Sequence, residues 1–206
     1  MRKMYLDIET VPAEEAKHEM LREIHTKKIE KFKKTAPAKA EETFEEYLAA
    51  TGLDGAFGRI ACIAYAYDNG PVQTIFGAEA DIINEWWRAA RGVDLYVGFN
   101  LLDFDLRFIY QRSIILGIKP PFFISFAKYR SEPVYDVMWE WSKWGQNKIS
   151  LDVLCKALSI PSPKGGEVEG YTVGKAFAEG KIKQICEYCS RDVEATRAIY
   201  KRITFT

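Results

Sequence analysis

The segment Lys3-Met4-Tyr5-Leu6-Asp7-Ile8-Glu9-Thr10 is apolar enough to be a buried strand, yet it carries two carboxylates one residue apart. Strand side chains alternate between faces, so Asp7 and Glu9 share one face while Leu6 and Ile8 take the other. A sheet holding this strand must bury the apolar face in a core and bring something to the charged one. Two like charges this close raise each other's pKa unless a positive group stands between them, and a divalent cation is such a group. A solvated edge strand carries the same Asp-x-Glu pattern, so the decision between edge and metal site lies downstream.

The rest of the sheet is legible there. Arg59 to Tyr67 is a continuous apolar run closed by Asp68-Asn69-Gly70-Pro71, and Val72 to Phe76 resumes it, which predicts a β-hairpin. Ile82, Ile83, Trp86, Trp87 and Ala90 at helical spacing predict a helix from Ala80 to Arg91, and Asp94 to Phe99 reads as a buried strand. A second helix from about Phe104 to Leu116 ends at Gly117. Strand, hairpin, helix and strand in this order predict an α/β fold with a mixed sheet whose later strands run parallel. Ligands in such sheets bind beyond the carboxyl ends of strands. That places Asp105, at the start of the second helix, beside the expected site, although an acid there also suits the helix dipole. Asp103 ranks below it.

Pro120 to Arg130 reads as an irregular connection, followed by a short extended Pro133 to Val137 and by Trp139, Trp141 and Trp144. Exposed aromatics stack on unpaired bases for about 1 to 3 kcal/mol each, but core packing is the expected use of most of these three. Ser150 is placed to cap a helix reaching Leu158, with Asp152 in its first turn. Pro161 to Gly170 is a flexible loop. It lacks the strand-to-helix pattern of a P-loop, so Lys164 belongs to an ordinary or substrate-gating segment. A long helix is expected from Lys181 to the end, and on it Tyr188 and Asp192, four apart, share one face. Taken alone, Tyr188 is a core aromatic and Asp192 a partner for Arg191 or Lys201.

Length and composition bound these readings. The 206 residues suit one domain. Lys plus Arg and Asp plus Glu both number 29, so there is no bulk attraction for a polyanion, which would have to be held locally. Ala13 to about Thr51 is rich in Glu, Lys and Ala, with Met20, Leu21, Ile24 and Ile29 as one thin apolar stripe and Phe44, Tyr47 and Leu48 as another. This predicts an insert of two surface helices broken near Pro37, with its lysines on a solvated face. No signal peptide precedes Asp7 and no apolar run approaches the roughly eighteen residues of a bilayer span, so a soluble, cytoplasmic protein is expected. Cys62, Cys155, Cys186 and Cys189 are too few and too scattered for a disulfide framework. Cys186-Glu187-Tyr188-Cys189 lacks a second ligand pair for zinc, since His18 and His25 lie in the insert.

Three phrases together point further: Asp7-Ile8-Glu9-Thr10, Gly98-Phe99-Asn100-x-x-x-Phe104-Asp105, and Tyr188-Cys189-Ser190-Arg191-Asp192. In order, they resemble the three motifs of the DEDD superfamily of 3′-5′ exonucleases. The likeness is greatest to stand-alone proteins similar to the proofreading domain of family B DNA polymerases. Tyr135-Asp136-Val137-Met138, Ser150-Leu151-Asp152-Val153-Leu154 and Ile160-Pro161-x-Pro163-Lys164 also look like that group, so the resemblance spans nearly everything except the insert. One branch of the superfamily has histidine five positions before its last aspartate, here Glu187, and the other has tyrosine four before it, here Tyr188. This chain resembles the tyrosine (DEDDy) branch.

The resemblance implies a ribonuclease-H-like fold, a mixed five-stranded sheet flanked by helices. It implies two Mg²⁺ or Mn²⁺ ions held by Asp7, Glu9, Asp105 and Asp192, with Tyr188 orienting the attacking water. Asn100 and Phe104 are then expected to shape the pocket for the terminal nucleotide, and Thr10 to contact its sugar. The implied substrate is a single-stranded 3′ end, DNA before RNA, because the sequence shows too little basic surface for a long duplex. The rival readings are an exoribonuclease of the same chemistry and a nucleic-acid-binding module that keeps the fold without the activity.

Overall fold

The computed structural model describes residues 1–206. From the N-terminus the elements are β1 (Lys3–Val11), then α1 (His18–Thr35) and α2 (Phe44–Ala50) of the insert. The hairpin β2 (Arg59–Tyr67) and β3 (Gln73–Phe76) follows, then α3 (Glu79–Ala89), β4 (Leu95–Gly98) and α4 (Asp105–Ile115). The chain continues with β5 (Val134–Asp136), α5 (Val137–Ser142), α6 (Leu151–Ala157), α7 (Val173–Ala178) and the long α8 (Ile182–Thr204). No helix is long and apolar enough to cross a membrane.

The five strands form one mixed sheet in the order β3-β2-β1-β4-β5. β2 is antiparallel to β1 and β3, while β4 is parallel to β1 and β5 to β4, as the order of elements predicts. The fold is α/β and ribonuclease-H-like. Alternation along β1 splits its side chains between two cores. Met4, Leu6 and Ile8 join Ile83, Trp86 and Phe108 beneath α3 and α4. Tyr5 joins the core under α8, on the face that also carries Asp7 and Glu9.

β2 meets α8 through Cys62, Ala64 and Ala66, all fully buried. Small side chains here let a helix lie close to the sheet, and Val193, Ile199 and Cys189 of α8 fill the remaining space. That close seating carries Tyr188 and Asp192 over β1. Its register with β2 shifts between Glu9 and Thr10, a bulge just past the two carboxylates.

In the insert, α1 and α2 are separated by a turn that begins at Pro37, as expected. The expected apolar stripe is only partly right. Leu21 is buried, but Met20 and Ile24 face solvent. The inward side instead carries His25, whose ring stacks on Tyr47 at 5.0 Å and whose Nε2 lies 3.1 Å from the Glu42 carbonyl. His18 likewise contacts the Ala13 carbonyl. Both histidines thus serve the insert's own packing. The tryptophan expectation also needs correcting: Trp86 and Trp87 fill the core, whereas Trp139 and Trp144 are half-buried and Trp141 is exposed. They follow β5, the edge strand, where α5 has only one side to pack against.

Candidate active site

Four acids reach one place from three parts of the chain. Asp7 and Glu9 come up from β1, Asp105 from the first turn of α4, and Asp192 from the middle of α8, with Tyr188 one turn before it. All five line a single cavity of about 720 Å³. Thr10 and Phe104 also line it, whereas Asn100 does not.

Asp105 is fixed by a gap in the sheet. β4 pairs with β1 only from Lys3 to Tyr5, so beyond that point β1 has lost its parallel neighbour. The Asp105 carboxylate accepts the Ile8 N–H at 3.0 Å and so stands in for the missing strand. Asp136, not assigned a role from the sequence, shapes the approach to it. This buried carboxylate accepts N–H groups from Asn100 and Leu102 at 3.0 Å each, and caps α5 through Met138 and Trp139. The turn it clamps holds Asn100 at φ 61°, a conformation that asparagine tolerates better than most residues. Only its position at a strand end directly ahead of a helix could have singled Asp136 out.

Cys189 was also missed. Its thiol donates to both the backbone and the Oδ2 of Asp7, at 3.3 Å each, from beneath the sheet-facing side of α8. Burial pushes that thiol up, so it remains a protonated donor. All four cysteines are buried and free.

The electrostatics are those of an acidic site short of positive charge. No Lys or Arg forms an ion pair with Asp7, Glu9, Asp105 or Asp192. Burial, then the charges of Asp192, Asp105 and Glu9, hold Asp7 well above the usual carboxylate range, and burial with Asp192 and Asp105 does the same to Glu9. Burial lifts Asp105 to about 8 against the pull of its backbone hydrogen bonds. It lifts Asp192 to about 7, opposed by the Tyr188 hydroxyl, Arg191 and Lys164. Burial, followed by Asp192, Glu9 and Asp7, keeps the Tyr188 phenol protonated beyond its ordinary range. One ligand atom from each of Asp7, Glu9 and Cys189 lies within 4.8 Å of the others. Asp105 and Asp192 line the same cavity but stand outside that close group, and the Cys189 thiol stays protonated, so the donors offered to a hard divalent cation are the carboxylates.

The insert closes the cavity. Ala49, Ala50, Gly52 and Leu53 form part of its wall, as do Tyr171 and Lys175. The Thr10 hydroxyl donates to the Gly52 carbonyl at 2.6 Å, so its proton is committed to holding this wall. What Thr10 can still offer a sugar is a lone pair. Asp103, the neighbour ranked lower, sits outside the cavity among Arg107, Lys128 and Lys148.

Residues 60–206 match the family model described as a predicted 3′-5′ exonuclease related to the exonuclease domain of PolB. The chain belongs to that family. The matched part of this PolB-exonuclease-related chain contains Asp105, Tyr188 and Asp192, while Asp7 and Glu9 lie ahead of it. Among solved structures it is similar to the family B DNA polymerase of the hyperthermophilic archaeon Pyrobaculum calidifontis, with a TM-score of 0.66 at 12% identity. That alignment covers 99% of this chain and 24% of the polymerase, so the chain spans about a quarter of its relative and shares its fold. No curated protein matches it.

Proposed function

We propose that the chain is a single 3′-5′ exonuclease domain, carrying the insert at about 13–51, that removes 5′-mononucleotides from the 3′ end of single-stranded DNA. One observation carries this reading: the buried Glu9, Asp105 and Asp192 and the half-buried Asp7, none in an ion pair, meet a tyrosine in one cavity. Membership of a family of predicted exonucleases supports it.

On this reading Asp7, Glu9, Asp105 and Asp192 would hold two Mg²⁺ or Mn²⁺ ions. Such a pair stabilises charge on the attacking and leaving oxygens of a phosphodiester during in-line displacement. Tyr188 acts as a donor that orients the attacking water, because a phenol kept protonated by its surroundings is no base at neutral pH. Cys189 and the Ile8 amide hold two of the carboxylates in place. Phe104 offers a ring to the terminal base from the cavity wall. Asn100, set back from the cavity, acts through the Phe99–Phe104 turn. The insert wall and Tyr171 enclose the terminal nucleotide and exclude water from it.

The test is magnesium-dependent release of mononucleotides from a 3′-labelled strand, with matched DNA and RNA oligomers in parallel. Release is expected in wild type and lost in Asp7→Ala and Asp192→Ala, both still folded. Equal activity in both variants would overturn the assignment, and preference for the RNA strand would replace DNA by RNA as the substrate.

A further inference from the structure

Asp103, next to Phe104 in the chain but outside the cavity, anchors a second assembly. Its carboxylate is shared by Arg107 at 3.5 Å, Lys128 at 3.3 Å and Lys148 at 3.6 Å, and it accepts the Trp139 indole N–H at 3.0 Å. Three cations on one anion leave two positive charges in excess, on a chain whose formal net charge is zero. All three cationic side chains are about half exposed, at 48–51%.

Aromatic rings are interleaved with these charges. Trp139 and Trp144 stack at 5.5 Å with their planes 11° apart, and Tyr129 lies 5.1 Å from Trp144 while remaining 76% exposed. Lys148 and Lys128 sit 4.5 Å and 5.6 Å from the Trp139 ring centre. Tyr129 and Trp144 are both held at φ 62°, a left-handed conformation that costs a non-glycine residue free energy. Trp144 is half-buried, packed against the core and between Trp139 and Tyr129, so Tyr129 is the ring left facing solvent.

The platform adjoins the cavity along the chain. Phe104, next to Asp103, lines the cavity, and so does Leu151, three residues after Lys148. We propose that the platform binds the single-stranded DNA immediately 5′ of the terminal nucleotide. Lys128, Lys148 and Arg107 take backbone phosphates, and Tyr129, backed by Trp144, stacks on an unpaired base. The assignment of direction rests on reading the cavity as the 3′-end site. It explains how a protein with no overall positive charge can hold a polyanion, since positive charge in excess is grouped around Asp103.

The experiment is equilibrium binding in EDTA, so that nothing turns over, of a 5′-fluorescein oligodeoxythymidylate of about 12 nucleotides. The Lys128→Ala/Lys148→Ala/Tyr129→Ala variant is expected to bind at least about tenfold more weakly, with the slope of log affinity against log salt reduced by about 1.4. Lys33→Ala/Lys34→Ala, which removes the same charge from α1, is expected to bind as wild type does. If the triple variant loses its fold, Lys128→Gln/Lys148→Gln carries the same slope test while keeping both stems over Trp139. Platform variants within about twofold of wild type, or an equal loss in the α1 pair, would overturn the proposal. A protein without nuclease activity would still give this answer, so the two readings fail separately.

Discussion

Asp105 serves as both sheet acceptor and site acid, and substitution separates the two. Asp105→Asn keeps an oxygen for the Ile8 N–H, whereas Asp105→Ala leaves that buried donor unpaired, which costs about 1 to 3 kcal/mol. Thermal unfolding should place the alanine variant below the asparagine variant by that amount, while both lose nuclease activity. A second expectation follows from the raised carboxylates. Asp105 at about 8 and Asp192 at about 7 bind protons in the folded state that they release near 4 when unfolded. Folding is therefore favoured below pH 4, and this contribution is lost as pH rises through 7 to 8. In EDTA, Tm should fall between pH 5 and pH 8.5, and added Mn²⁺ should restore it most at the upper end. A flat profile with no metal response would contradict the cluster. Strand period pairs Asp7 with Glu9 and the helix start sets Asp105 near the strand ends, but Asp192, which read alone is a partner for Arg191 or Lys201, joins them in the sequence only through the resemblance to the three exonuclease motifs. Asp136 and Cys189 were not legible there, because their roles depend on backbone groups and on an element far away in sequence.

Among the elements, the placement of α8 decides whether the site exists. Ala64 faces it from the register position opposite Asp7. Ala64→Leu would overpack that contact, costing about 1 to 3 kcal/mol, and would lift Asp192 away from β1. Activity should drop more than tenfold in a protein that still unfolds cooperatively; unchanged activity would show that helix and sheet need not be so close. Asp136→Ala should also be costly, by about 3 kcal/mol in denaturant unfolding, since it orphans amides in the Asn100–Leu102 turn and at the start of α5. Strand order and helix positions could be read from apolar periodicity. The seating distance of α8 could not, because a run such as Ala61-Cys62-Ile63-Ala64 reports burial without saying how near the covering helix comes.

For the molecule as a whole, the sheet and α8 form a continuous interior, while α1 buries only Leu21 and packs mainly against the Pro37–Glu41 turn and, less, α2. Hydrogen exchange should therefore release α1 amides first and those of β1, β2 and α8 last. Protection of α1 equal to that of β2 would mean the insert is part of the cooperative core. The sequence showed this insert as a charged excursion and gave no hint that its end returns to wall the cavity, since Ala49, Ala50 and Gly52 carry no chemistry of their own. The Thr10 bond to the Gly52 carbonyl and the Ala13 N–H bond to the Thr51 hydroxyl reveal the return.

Because one carboxylate both completes a strand ladder and faces the cavity, position 105 answers to two selective demands at once. A descendant that had abandoned hydrolysis could shed Asp7 or Asp192 freely, yet would still be held to an oxygen acceptor beside Ile8. In judging whether some cousin of this protein is alive or dead as a catalyst, an aspartate retained there tells less than one retained at the other corners.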